Sequence, residues 1–141
     1  MVFVRSVLIA ALVLASVVVV GCSRFLEIEL FNNTNETVTA QPTSEKAIVS
    51  PGQSDEFRYP GDNENWMLIL ATKSCDYVYP VPRTLENYPR PDYSGPFKVQ
   101  LEKDFVLYLL PNEATAVVNA QDLGPVQKGV FPLRPSSKTC R

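Results

Sequence analysis

The chain of 141 residues is 45% hydrophobic and 20% charged, with a formal charge of −2, which suits one folded domain and excludes collagen-like, disulfide-knot and polybasic nucleic-acid-binding classes. It contains no histidine. Ser-His-Asp and Cys-His nucleophile pairs, histidine zinc sites and blue-copper sites therefore have no imidazole to use.

Residues 1–21 have the character of a targeting segment: Arg5 is its one positive side chain, and Val7 to Val20 is a run of 14 residues in which only Ser16 and alanines interrupt the aliphatics. A membrane-spanning helix wants about 20 apolar residues, and this run gives way at Ser23-Arg24. A cleaved signal peptide is the better reading. Its last residues and the next one, Val19-Val20-Gly21-Cys22, resemble the lipobox of bacterial lipoproteins. The resemblance covers the signal only. It implies a thioether-linked diacylglycerol on Cys22, cleavage between Gly21 and Cys22, and acylation of the new amino group with a fatty acid such as palmitate. In a diderm host, Ser23 in place of an aspartate implies an outer-membrane address facing the periplasm. The physical consequence follows from transfer energies: each buried methylene contributes about 0.8 kcal/mol, so one chain binds a bilayer reversibly whereas two or three hold a small domain there. The chain thus divides into a signal peptide, 1–21, and a lipid-anchored domain, 22–141.

The domain keeps 12 of the 13 Lys and Arg, because Arg5 lies in the signal, against all 15 acids, for a net −3. Such a surface has no electrostatic grip on phosphate backbones, and nucleic acid is not an expected partner. Its first pattern is the alternation of Leu26, Ile28 and Leu30 with Glu27 and Glu29, the two-residue period of a strand with one wet face. Asn32-Asn33-Thr34-Asn35 forms a turn, and Thr37–Ala40, Lys46–Ser50 and Glu56–Tyr59 follow as a meander punctuated by Pro51-Gly52. Trp66–Ala71 is a nearly continuous apolar run, as in a central strand, which makes Trp66 a core residue rather than a sugar-stacking platform. Cys75, Tyr77, Tyr79 and Val81 then alternate with Asp76, Val78 and Pro80. Phe97–Glu102 and Phe105–Leu110 flank Lys103-Asp104, a two-residue hairpin connection. Asn112–Leu123 is ambiguous: Asn112 suits a helix cap and Gly124-Pro125 a stop, whereas Thr115, Val117 and Val118 favour a strand; the choice falls on a short helix near 113–123. Residues Gly129–Pro135 suit an edge strand or extended strap, because Pro132 and Pro135 cannot donate to a ladder.

About seven short strands with frequent Pro and Gly predict an all-β fold, a small β-sandwich of immunoglobulin-like or transthyretin-like type, with an open barrel as the alternative. Cys75 and Cys140 remain after Cys22 is lipidated and lie in an exported domain. Paired, they close a loop whose chain-entropy contribution is about 4 kcal/mol; two reduced, buried thiols are the alternative. Only Ser23 and Arg24 separate Cys22 from the first strand pattern. Either the domain sits against the bilayer, or the first strand frays into a tether and the stable core begins near Thr37.

The stretch Tyr77–Pro96 carries prolines at 80, 82, 89, 91 and 96, four tyrosines and two arginines. Tyr88-Pro89-Arg90-Pro91 is expected to be extended and pre-ordered, so little entropy is lost on docking it. Tyr79, Arg83, Tyr88, Arg90 and Tyr93 are the candidate partner-binding residues, since Tyr and Arg dominate interface energetics; the alternative is that they close one end of the sandwich. Asp62-Asn63-Glu64-Asn65 offers oxygen ligands but lacks the spacing and glycine of a calcium loop, and an ordinary turn is the simpler account. No metal, cofactor or catalytic constellation is expected: paired carboxylates and Ser-Lys arrangements have no local signature here. Arg134, Lys138 and Arg141 form a small cationic cluster suited to keeping an edge strand from aggregating. The expectation is a non-catalytic, lipid-anchored module of the cell envelope that docks a protein partner. A glycan or small-ligand binder and an inhibitor of an exogenous enzyme are the alternatives.

Overall fold

The computed structural model describes residues 25–41, 46–60, 67–81, 95–111, 113–124, 127 and 129–141. Within them the two-residue periods produce nine strands in two sheets. In chain order these are β1 (Phe25–Asn32), β2 (Val38–Gln41), β3 (Ala47–Val49), β4 (Ser54–Pro60), β5 (Met67–Ala71), β6 (Cys75–Pro80), β7 (Phe97–Leu101), β8 (Leu107–Leu109) and β9 (Ser137–Cys140), with one short helix, α1 (Ala120–Leu123), between the last two. One sheet has the order β4-β1-β7-β8 and the other β3-β2-β5-β6-β9. All neighbours are antiparallel except β1 and β7, which run parallel with Ile28 opposite Phe97. The all-β sandwich read from the sequence is the fold of the protein.

The core lies between the sheets because each contributes one apolar face: Ile28 and Leu30 of β1, Val99 and Leu101 of β7, Leu68 and Leu70 of β5, and Tyr77 and Tyr79 of β6 are all buried. The polar alternates Glu27 and Glu29 of β1 stay outside. Glu27 pairs with Arg58 at 3.3 Å and Glu29 with Lys98 at 3.7 Å across the outer face of β1. A second apolar cluster, Phe31, Leu110 and Leu123, lies apart from that core, with Tyr108, Val117 and Val118 packed on it.

Three expectations change in detail. The meander breaks at Pro51-Gly52: β2 and β3 pair, but β4 crosses to the other sheet and pairs with β1. Gly52, at φ 73°, donates its N–H to the Asn32 carbonyl at this corner, a left-handed conformation that glycine adopts without steric cost. The β7–β8 connection is longer than Lys103-Asp104. Phe105 N–H bonds the Glu102 carbonyl, Glu102 N–H bonds the Val106 carbonyl, and Phe105 takes φ 59°, which is a turn followed by a left-handed bulge residue. A phenylalanine in that position is held by its surroundings, since its ring stacks on Tyr77 with centroids 3.8 Å apart. The helix expected near 113–123 shrinks to the four residues of α1, capped by Asn119, whose side chain accepts the Gln121 N–H. Asn112 itself lies outside the described residues.

The sheet edges close differently. β8 is covered by the C-terminal strap: Leu107 and Leu133 exchange both backbone hydrogen bonds, and the Gln127 amide accepts from Leu109 N–H and donates to the Leu109 and Leu123 carbonyls. Residues 129–135 are thus a strap that buries Phe131 and Leu133, and the strand that follows it, β9, takes the sheet edge beside β6.

Candidate functional site

The turn after β5 sets the disulfide in place. Thr72 Oγ1 accepts the Ser74 and Cys75 N–H groups and donates to the Cys75 carbonyl, so the chain reverses within three residues and Cys75 opens β6. β9 pairs with β6 so that Cys140 stands directly opposite Cys75, with Cα atoms 4.0 Å apart and sulfurs bonded at 2.05 Å. The bridge predicted from cysteine counting is present. Beside it Lys138 lies 5.2 Å over the Tyr77 ring and Arg141 pairs with Asp76 at 3.1 Å. Two of the three C-terminal cations are therefore engaged within the chain.

Tyr79, expected among the partner-contacting residues, has a different place: it has no exposed surface, and its hydroxyl donates to the Phe105 carbonyl at 2.8 Å. The cause is the strand period itself, which sends Cys75, Tyr77 and Tyr79 to one face of β6 and into the core. Burial, with Tyr77 and Asp104 acting in the same direction, holds the Tyr79 hydroxyl well above its ordinary pKa. Arg83, Tyr88, Arg90 and Tyr93 lie outside the described residues, as do Cys22, Trp66 and residues 62–65, where a turn was expected. Residues Val81 and Gly95, which bound that segment, are described; Val81 is buried against the core.

A polar cluster at the far end of β1 and β7 carried no sequence signal beyond a turn. Asn32 is fully buried, its amide donating to the Glu36 and Val49 carbonyls while its oxygen accepts from Thr34. Next to it, Asn33 donates to both oxygens of Glu102 at 2.9 and 3.1 Å. Gln100, also fully buried, donates to Glu102 and to the Val118 carbonyl and accepts the Val118 N–H. The Asn32 and Gln100 amides are used on both their sides, so the network clamps the 113–119 segment and the Asn33 turn onto β7; its groups are committed to structure. Among the described residues no group of three or more acids or cysteines could hold a metal ion. Between the sheets an apolar void of about 20 Å³ is lined by Ile28, Leu68, Val81, Phe97, Leu107 and Phe131 among others, too small for any ligand beyond a water-sized one.

No protein-family model, curated protein or solved structure matches the chain.

Proposed function

We propose that the chain is a lipid-anchored protein of the cell envelope that acts by binding, without catalysis, and that its partner is another protein met at the membrane. In this reading Cys22 carries the acyl chains, the protein sits at the cell membrane, and in a diderm host it faces the periplasm from the outer membrane. Arg83, Tyr88, Arg90 and Tyr93 supply the docking contacts. The observation that supports it best is where the folded domain starts. β1 begins at Phe25 and is paired on both sides from Ile28 onward, so a domain with a firmly held first strand follows the lipobox cysteine after only Ser23 and Arg24. That spacing suits a module carried at a bilayer surface, and the β1 ladders argue against a frayed first strand serving as a long tether.

The test is metabolic labelling with a palmitate analogue in the wild type and in Cys22→Ser, with membrane fractionation of both. Label on the wild type alone, and a membrane-bound wild type beside a released variant, supports the reading. An unlabelled wild type, or a Cys22→Ser protein that stays on the membrane, overturns it.

A further inference from the structure

The four-stranded sheet ends on one side at β8, which the strap covers, and on the other at β4, whose strand neighbour among the described residues is β1 alone. Of the sheet edges without such a cover β4 is the longest, with seven residues against three in β3 and four in β9. The hydrogen-bond phase of β1 decides which of its backbone groups face outward. Asn32 N–H bonds the Gln53 carbonyl on the β4 side, whereas Asn33 N–H bonds the Leu101 carbonyl on the β7 side. Alternation along the antiparallel ladder then gives the backbone groups of Asp55 and Phe57 to β1 and turns those of Ser54, Glu56 and Arg58 to the open edge. Glu56 bears this out: its N–H is accepted by Asp55 Oδ1 of its own strand at 2.9 Å. The side chains of Ser54, Asp55, Glu56 and Arg58 are all exposed.

The charges along this edge are self-complementary. On the outer face of the sheet, Lys98, Glu29 and Glu56 lie in one row across β7, β1 and β4, and Glu27 and Arg58 lie opposite each other in the next row. Lys98 answers Glu29 at 3.7 Å, and Arg58 answers Glu27 through Nε at 3.3 Å. Glu56 stands directly across from Glu29 and pairs with no cation among the described residues. The Arg58 side chain is 66% exposed, and a guanidinium engaged through Nε has its terminal nitrogens as further donors.

We infer that two copies of this chain pair antiparallel through β4, about a two-fold axis beside Phe57, so that Glu56 of each copy faces Arg58 of the other. Both residues turn their backbone groups outward, so this register makes them a hydrogen-bonded antiparallel pair, with their side chains on the same face and within reach of each other. Glu56 N–H exchanges the Asp55 oxygen for the Arg58 carbonyl of the second copy. Shifting the register to the next positions with the same backbone phase sets Glu56 against Glu56 or Arg58 against Arg58, and like charges directly opposite are destabilising; charge therefore selects the pairing about Phe57. The row Lys98, Glu29, Glu56 then continues into Arg58 and Glu27 of the second copy, and the acid that lacks a cation within its own chain gains one. Pro60, which has no N–H, closes the ladder at each end. The contact is isologous and uses the β4 edge of each copy once, so it stops at a dimer instead of growing into a fibre. It is independent of the proposed anchor and docking segment.

The test is sedimentation velocity of the purified full chain in a mild detergent, with micelles in excess over protein, so that the result does not turn on whether Cys22 carries lipid. The wild type should dimerise reversibly as its concentration rises, and amide exchange at Arg58 should slow on dimerisation, because its N–H passes from solvent into a ladder. Glu56→Arg and Arg58→Glu each set like charges across the axis, and a roughly tenfold or greater weakening of the dimer is expected of either. Combining Glu56→Arg with Arg58→Glu restores opposite charges and should recover most of the affinity. Thermal melts check the folding of each variant, and exchange at Arg58 in the wild type decides the matter where a variant fails to fold. The inference is overturned by a wild type that stays monomeric up to its solubility limit, or by a dimer that both single variants leave intact. A folded double variant no tighter than the single ones, or an Arg58 amide that exchanges alike in monomer and dimer, overturns it equally.

Discussion

The first and last strands of this domain are held by opposite means. β1 is interior to its sheet, flanked by β4 and β7, and sends Ile28 and Leu30 into the core. β9 lies at the edge of the other sheet, all four of its residues are exposed, and among the described residues its strand neighbour is β6 alone. Burial of apolar surface secures β1, whereas β9 depends on the Cys75–Cys140 bond with help from Lys138 over Tyr77 and Arg141 on Asp76. The difference teaches which end of a small domain can bear a pull from the chain beyond it. A strand locked between two neighbours transmits any pull from the chain before it into both ladders, whereas an edge strand must be fastened covalently.

The sharpest way to break this contrast is to hollow the core under β1. Leu30→Ala removes a side chain with no exposure, and the expected loss is roughly 3–5 kcal/mol of unfolding free energy by denaturant titration. A loss under about 1 kcal/mol would mean that β1 is not secured by burial. Replacing both cysteines with serine should cost about 2–4 kcal/mol, and its location matters as much as its size. Hydrogen exchange should quicken first in the β9 amides and their partners on β6, with the β1 amides the last to open. Simultaneous opening of β1 and β9 would erase the distinction between them.

Smaller effects sharpen the account of the edges. Gln127→Ala leaves the Leu109 N–H and carbonyl without their side-chain partners, and a loss of about 1–2 kcal/mol with faster exchange at Leu109 is expected. Tyr79→Phe deletes the hydrogen bond to Phe105, worth about 1 kcal/mol at neutral pH, and changes the alkaline limb. Because the Tyr79 hydroxyl has a raised pKa in the native state, the folded protein keeps its proton where the unfolded chain, with an ordinary value of about 10, releases it. That contribution to stability is complete below about pH 10 and falls as the pH rises further, so the wild type should lose stability more steeply there than Tyr79→Phe. Equal slopes in alkaline denaturation would contradict the buried, donated hydroxyl. Arg141→Ala should change stability by no more than about 0.5 kcal/mol, as expected of an exposed ion pair; a larger loss in thermal melts would make the pair a main fastening of β9.

Where a strand has one wet face, its period can be read directly from residue order, and β1 and β6 were legible for that reason, whereas β5 was legible from its nearly continuous apolar run. The disulfide was legible through arithmetic, because setting Cys22 aside as the residue of the lipobox-like motif leaves two cysteines. Topology was not. Nothing in Glu56–Tyr59 announces that it pairs with β1 instead of continuing the meander, since that choice depends on the corner made by Gly52 and the Asn32 carbonyl. The Gln100–Val118 clamp was hidden for a similar reason: a glutamine in a strand reads as a wet residue until a distant segment arrives to use its amide. Tyr79 shows two sequence arguments in competition. Its aromatic, proline-rich neighbourhood suggested an interface, whereas its alternation with Cys75 and Tyr77 assigned it to the core, and the alternation governs because the backbone direction of a side chain precedes its chemistry.

The central claim is that membrane anchoring brings a protein partner to this domain, and in-cell photocrosslinking from position 88 tests it most directly. A photoreactive residue at Tyr88 in the wild type, with the same residue in Cys22→Ser and a probe at Lys103 as controls, is followed by mass spectrometry of any adduct. The account predicts a discrete protein adduct from position 88 that disappears when Cys22 is replaced, and none of comparable yield from position 103. An anchored, folded protein that gives no adduct from 88, or gives the same adduct without its anchor, contradicts it.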